Sequence, residues 1–145
     1  MIDALRPAPD ETTKFFWDAV NRHELAIQRC RSCGHFMHVP APLCRACLST
    51  DLGHQTVSGR GSVYAFTICV QAFHPWFADK LPYALAVIDL EEQPGLKMVS
   101  NVVDCPIESV RSDMAVEVVF REVAPGLTLP LFRPRLDAPA AAGAR

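Results

Sequence analysis

No run in this 145-residue chain is apolar for long enough to cross a bilayer, although half of its residues are hydrophobic. Those residues are therefore available for a buried core, and the expectation is a soluble, cytoplasmic protein with no membrane partner. Nothing at the N-terminus resembles a secretory leader, so the cysteines are expected to stay reduced. Charge of one sign is also scarce. The formal net charge is −2, and between 59 and 135 seven basic residues face nine acidic ones, with no basic cluster longer than Arg133-Pro134-Arg135. A nucleic-acid surface needs a track of cations, so this balance argues against such a partner. Catalytic signatures are missing too: there is no G-x-S-x-G, no H-E-x-x-H and no phosphate-cradling glycine loop. The chain is expected to contribute no catalytic residue of its own.

What is present is a metal signature. Cys30 and Cys33 form one C-x-x-C pair, Cys44 and Cys47 a second, and ten residues separate the pairs. Two residues between thiolates let one tight turn offer both sulfurs to a single ion, and a second such turn completes a tetrahedron. Four sulfurs leave no position for water, so the expected ion is one structural zinc per chain. The competing reading is a disulfide within each C-x-x-C, which would close a short and strained loop. His35 and His38 lie inside the ribbon loop, but four cysteines already suffice. Gly34 follows the first pair, where the backbone must turn sharply; Leu48 occupies that place after the second, where the turn is less ideal.

Strand signals dominate the remainder, and the twelve prolines suit a ribbon and a barrel better than a bundle. Phe16, Trp17 and Val20 share one side of a short helix that Asp10 is placed to cap. That helix either packs on the rest of the protein or presents Phe16 and Trp17 to a partner. Leu25 and Ile27 read as a strand entering the first metal turn. Five alternating segments follow: one around Val63 to Ile68, then Tyr83 to Leu90, Leu96 to Val103, Ala115 to Val123 and Leu127 to Phe132. Gly59 and Gly61 flank Arg60 where a barrel strand must bend. Five strands with the longer connection, Pro106 to Asp113, after the third match an OB-type barrel. The expected fold is mainly β: an N-terminal helical segment over 1–24, a rubredoxin-like zinc ribbon over 25–57, a five-stranded OB-fold over 58–135 and a disordered tail over 136–145.

The helix, Gln28-Arg29-Cys30, the C-x-x-C-G…C-x-x-C ribbon, Ser58-Gly59-Arg60-Gly61, Phe73-His74-Pro75, Val118-Val119-Phe120 and Leu129-Pro130-Leu131-Phe132 together resemble the DUF-thirty-five family. The similarity covers roughly residues 10 to 135. It implies a non-catalytic partner of a larger acyl-CoA enzyme in a hetero-oligomer: a thiolase-like thiolase or aldolase, or a hydratase, as in lipid or steroid side-chain degradation. It also implies acyl-CoA at a site shared between the subunits.

Other residues mark where such a partner or ligand could touch. Phe73, His74, Trp76 and Phe77 concentrate aromatic surface in one loop, which either plugs the barrel, meets another protein or walls an acyl channel. Arg60, Arg121, Arg133 and Arg135 could meet phosphates, and a stand-alone acyl-CoA-binding module is the corresponding alternative. Tyr64 and Phe66, two apart, could share a sheet face and stack bases in a single-stranded nucleic-acid reader, the second alternative. Cys69 sits in an apolar strand and reads as an inert thiol, and Cys105 precedes Pro106 at a strand end.

Overall fold

The computed structural model describes residues 4–136, so the expectation for the tail from 137 onward lies outside the described residues. Helix α1 runs Lys14–Asn21 and buries Phe16, Ala19 and Val20. Asp10 stands one turn earlier than a helix cap would. Its carboxylate accepts the backbone N–H groups of Thr12 and Thr13 at 3.0 and 2.8 Å, closing the turn that feeds the helix, while Thr13 holds the N-cap position without a side-chain bond.

Three short strands then form the ribbon sheet. Strands β1 (Ala26–Cys30), β2 (Phe36–Met37) and β3 (Leu52–Thr56) lie in the antiparallel order β2-β1-β3. Leu25, Ala26 and Ile27 are all buried instead of alternating, and Leu25 and Ile27 join one cluster with α1 and the barrel. Two side-chain amides extend this small sheet. Gln28 is buried and exchanges two hydrogen bonds with the backbone of Ala41. Gln93, from the turn after β5, does the same for Phe36, at 2.9 and 3.1 Å. Each glutamine amide here uses one N–H as donor and its carbonyl oxygen as acceptor, as a strand residue does, so each stands in for a missing neighbour.

Strands β4 (Arg60–Cys69), β5 (Tyr83–Leu90), β6 (Lys97–Val102), β7 (Ala115–Ala124) and β8 (Leu127–Pro134) close a barrel in the order β4-β5-β6-β8-β7. All pairings are antiparallel except β6 with β8, which meet at one parallel pair, Val102 and Phe132. A single 3-10 turn, Ile107–Ser109, occupies the long connection before β7. Phe16, Val20, Leu25, Ile27 and Phe36 belong to the same buried cluster as Val63, Ile88, Val116 and Phe132, so helix, ribbon entry and barrel share one core.

The barrel entrance explains the glycines at 59 and 61. A side chain on Gly59 would stand 2.2 Å from Val118 Cγ1, and one on Gly61 2.3 Å from the carbonyl oxygen of Asp89. The second obstacle is backbone and cannot rotate away. Gly61→Ala is expected to cost about 3 kcal/mol, read as a lower denaturant midpoint at unchanged slope.

Tyr64 corrects one expectation. Val63 pairs with Ile88 and Ala65 with Val87, so Tyr64 is the extra residue of a β-bulge. Phe66 therefore stands opposite buried Ala86, whereas Tyr64 lies outside under Lys97, whose ammonium is 3.7 Å from its ring centroid. They do not form one stacking platform.

Candidate metal centre and docking seam

Cys30 ends β1, and the chain turns back at once: Gly34 N–H donates to Cys30 carbonyl at 2.9 Å, and Cys30 N–H to His35 carbonyl at 2.9 Å. The second pair repeats this turn, with Leu48 N–H to Cys44 carbonyl at 2.9 Å and Cys44 N–H to Ser49 carbonyl at 2.8 Å. Gly34 has φ +79° and Leu48 φ +62°. The turn geometry is thus kept at Leu48 despite its Cβ, at a left-handed position where an ordinary residue is strained by about 1 kcal/mol. Leu48→Gly is expected to raise stability by up to about 1 kcal/mol and to slow zinc loss to a chelator.

The four sulfurs lie within 4.8 Å of one another, with Cys30 to Cys47 at 3.7 Å and Cys33 to Cys44 at 3.6 Å. A tetrahedron with Zn–S bonds of about 2.3 Å has sulfur–sulfur edges of about 3.8 Å, so this donor set fits zinc. Cys30 and Cys44 are buried, Cys33 and Cys47 exposed. The Cys33 amide aimed at its sulfur leads in drawing Cys30 down to about 6, and the Cys47 amide leads in lowering Cys44. Cys47 shows the opposite balance. The Ser49 amide lowers it, yet local desolvation of the sulfur and its three neighbouring sulfurs outweigh that and push it up to about 12. Sulfurs this close resist ionising together, and a dication removes the conflict. Neither histidine of the loop joins the cluster. His38 instead tilts against Phe16 at 5.4 Å, and burial, then the Arg45 charge, holds it below the ordinary imidazole range.

The aromatic loop divides. Trp76 and Phe77 lie in a 3-10 turn, Pro75–Phe77, started by Trp76 N–H donating to His74 Nδ1 at 3.2 Å. Both are half-buried: Phe77 meets Tyr83 at 5.6 Å, and the Lys80 ammonium sits 3.8 Å from the Trp76 ring. Phe73 points outward and is 86% exposed. Under Trp76 and Phe77 is a recess of about 360 Å³ reaching Val102, Leu129 and Leu131, with Lys80 and Arg121 at its wall. A second recess, about 300 Å³, opens where α1, the ribbon and the barrel meet, lined by Phe16, Trp17, His38, Met98 and Val99. Both recesses include Asn101, Leu129 and Leu131, so they adjoin across β6 and β8, where the barrel pairing is thinnest. Exposed Val99 and Leu85 continue this apolar seam outward. Phe16 contributes from the core, Trp17 from the half-buried edge of α1. Arg60, exposed at the start of β4, lines neither recess.

A family model described as the rubredoxin-like zinc ribbon domain of ChsH2 matches residues 17–53, and one described as the C-terminal OB-fold domain of ChsH2 matches residues 54–121. A Methanocaldococcus jannaschii protein named as a DUF35 domain-containing scaffold protein is 34% identical over 70% of this chain and 71% of its own length. The chain belongs to the DUF35 family. A further relative, named as a probable enoyl-CoA hydratase alpha subunit of Thermomonospora curvata, is 35% identical over 90% of this DUF35 chain. The chain spans 40% of that subunit's length. A solved structure described as an Ltp2-ChsH2(DUF35) aldolase superposes with a TM-score of 0.81 at 35% identity, covering 89% of this chain and 98% of that one.

Within this DUF35 chain, sequence reasoning located the four cysteines, which the structure brings together, and the aromatic loop, which it divides. It did not find the seam. Met98, Val99, Leu129 and Leu131 read as ordinary strand residues, and only the fold brings them together around one recess beside the sparse β6–β8 pairing. The one available signal was Pro130, which interrupts the alternation of β8.

Proposed function

We propose that this DUF35 chain is a non-catalytic accessory subunit of an acyl-CoA-processing enzyme, either a thiolase-like thiolase or aldolase or a hydratase, of the kind that degrades lipid or steroid side chains. The observation that carries the reading is the apolar seam, exposed on a chain whose thiols have no catalytic setting. Neither Cys69 nor Cys105 hydrogen-bonds to a histidine among the described residues. Cys30, Cys33, Cys44 and Cys47 hold one zinc, which supplies folding free energy and no open coordination position. Exposed Phe73 and half-buried Trp17 contact the catalytic partner, and the recess beneath Trp76 becomes one wall of the shared acyl-CoA site. Lys80 and Arg121 favour that use, although each already pairs with an aspartate, Asp79 and Asp104. The names of the hydratase, scaffold and aldolase relatives support it.

Affinity purification of the tagged chain from its native host tests the proposal. The expected result is a stoichiometric acyl-CoA enzyme in the eluate, turnover only in the complex, and rates within a few-fold after Cys69→Ala or Cys105→Ala. A loss above about 100-fold on either change with folding intact, about 2.7 kcal/mol of barrier, would place a nucleophile here and overturn the reading.

A further inference from the structure

The ribbon carries a recess of different character, separate from the seam. It measures about 340 Å³ and is lined by Arg29, Arg31, Gly34, Gly53, His54 and Cys30, with Gln55 at its edge. Two guanidinium groups face it across bare glycines. A side chain on Gly53 would stand 2.9 to 3.1 Å from Nε, Nη2 and Cζ of Arg31, and one on Gly34 3.3 Å from Nη2 of Arg29. Nε and Nη2 lie nearer than Cζ, so it is the Nε–Nη2 edge of Arg31 that overhangs the bare Cα of Gly53.

Their hydrogen bonds are partly spent. Arg29 donates from Nε to the Gly34 carbonyl and from Nη1 to Gln55 Oε1, and stacks on Phe36 at 4.8 Å. Arg31 donates only from Nη1, to Asp51 and to the Leu52 carbonyl. Among the described residues, Nη2 of Arg29 and the Nε–Nη2 edge of Arg31 donate to nothing. That edge is the fork that grips two oxygens of one oxyanion. Asp51 is the one carboxylate in ion-pair contact with the two arginines, and its pair with Arg31 is largely exposed. His54 is held flat against Phe15 at 4.7 Å, fixing its imidazole at the wall beside the two guanidinium groups.

We propose that this recess binds a phosphoanhydride, its oxygens taken by the unspent N–H groups of Arg29 and Arg31 above the glycine floor. The open fork of Arg31, the free Nη2 of Arg29 and a volume far beyond one carboxylate suit two linked phosphates better than an acidic side chain. The source is either free pyrophosphate or the diphosphate of a nucleotide. The opposing role for these arginines is as counter-charge to the thiolate cluster, which Cys30 brings to the same wall.

The test is a titration of the zinc-loaded full chain with inorganic pyrophosphate, following the arginine Nε–H resonances together with zinc content. Saturable shifts of Arg29 and Arg31 are expected, with affinity falling at least about tenfold in Arg29→Gln and Arg31→Gln at unchanged zinc. Gly53→Ala keeps every charge but displaces the guanidinium, and should also weaken binding, which decides the matter if a glutamine variant fails to fold. If ADP binds about tenfold tighter than pyrophosphate, the natural source is a nucleotide; equal affinity assigns the site to the phosphates alone. Unmoved resonances, acetate acting as well as pyrophosphate, equal affinity in the variants, or zinc loss without any change in anion binding would each overturn the proposal.

Discussion

Cys30→Ser is expected to abolish stoichiometric zinc binding and to release the ribbon. Apparent binding free energies of structural zinc run to about 10–16 kcal/mol, as large as the whole stability of a typical domain, so the ribbon cannot survive on its own packing. Its private apolar cluster is small: Cys30, Met37 and Cys44, with Leu52 against them. The barrel has five closed strands and a much larger core, but Leu25, Ile27 and Phe36 of the ribbon entry belong to that core. The barrel should therefore persist with a lower melting temperature instead of remaining untouched. Metal analysis should fall from one zinc per chain to none. Hydrogen exchange should lose protection in β1, β2 and β3 while β4 to β8 keep theirs, and Cys47→Ser should behave alike despite its exposure. A metal-free variant with full protection throughout would refute the zinc assignment.

Phe73→Ala should leave the isolated chain almost unchanged, within about 0.5 kcal/mol, because the side chain it removes is already in water. Partner affinity should fall at least about 30-fold, near 2 kcal/mol, if the ring is an anchor. Trp76→Ala differs. Trp76 walls a recess and carries Lys80, so that change should lower both stability, by about 1–2 kcal/mol, and affinity. Calorimetric titration against the purified catalytic subunit separates the two. Should Phe73→Ala leave affinity intact while Trp17→Ala lowers it, the contact lies on α1. Phe16 is unsuited to that comparison: it is buried, and truncating it would cost about 3–5 kcal/mol of stability.

Much of this was legible in the residues because its signals are local. Cysteine spacing, the glycine after Cys33 and the period of two in each barrel strand follow from turn and strand geometry, and they located the ribbon and all five strands. What escaped depends on distant neighbours. The bulge at Tyr64 arises from β5's register, so alternation alone misassigned Tyr64 and Phe66 to one face. Leu48 disguised a turn that normally declares itself by glycine. The aromatic loop was visible as composition, but whether each ring was covered or left exposed depended on Tyr83 and Lys80, which lie beyond it in the chain.

The amide of Gln93 has a consequence for supply. It closes the free edge of Phe36, and Phe36 follows the first metal turn by three residues, so the turn between β5 and β6 is tied to the metal ribbon by two hydrogen bonds. Strand β6 leaves that turn and carries Met98 and Val99 into the seam. A newly made chain that has not captured its ion lacks a settled ribbon edge, and with it one side of the surface a partner would grip. Under the proposed role, cellular zinc then rations assembly: the number of complexes follows the number of metallated chains, and copies made during metal scarcity remain unassembled whatever the amount of catalytic subunit.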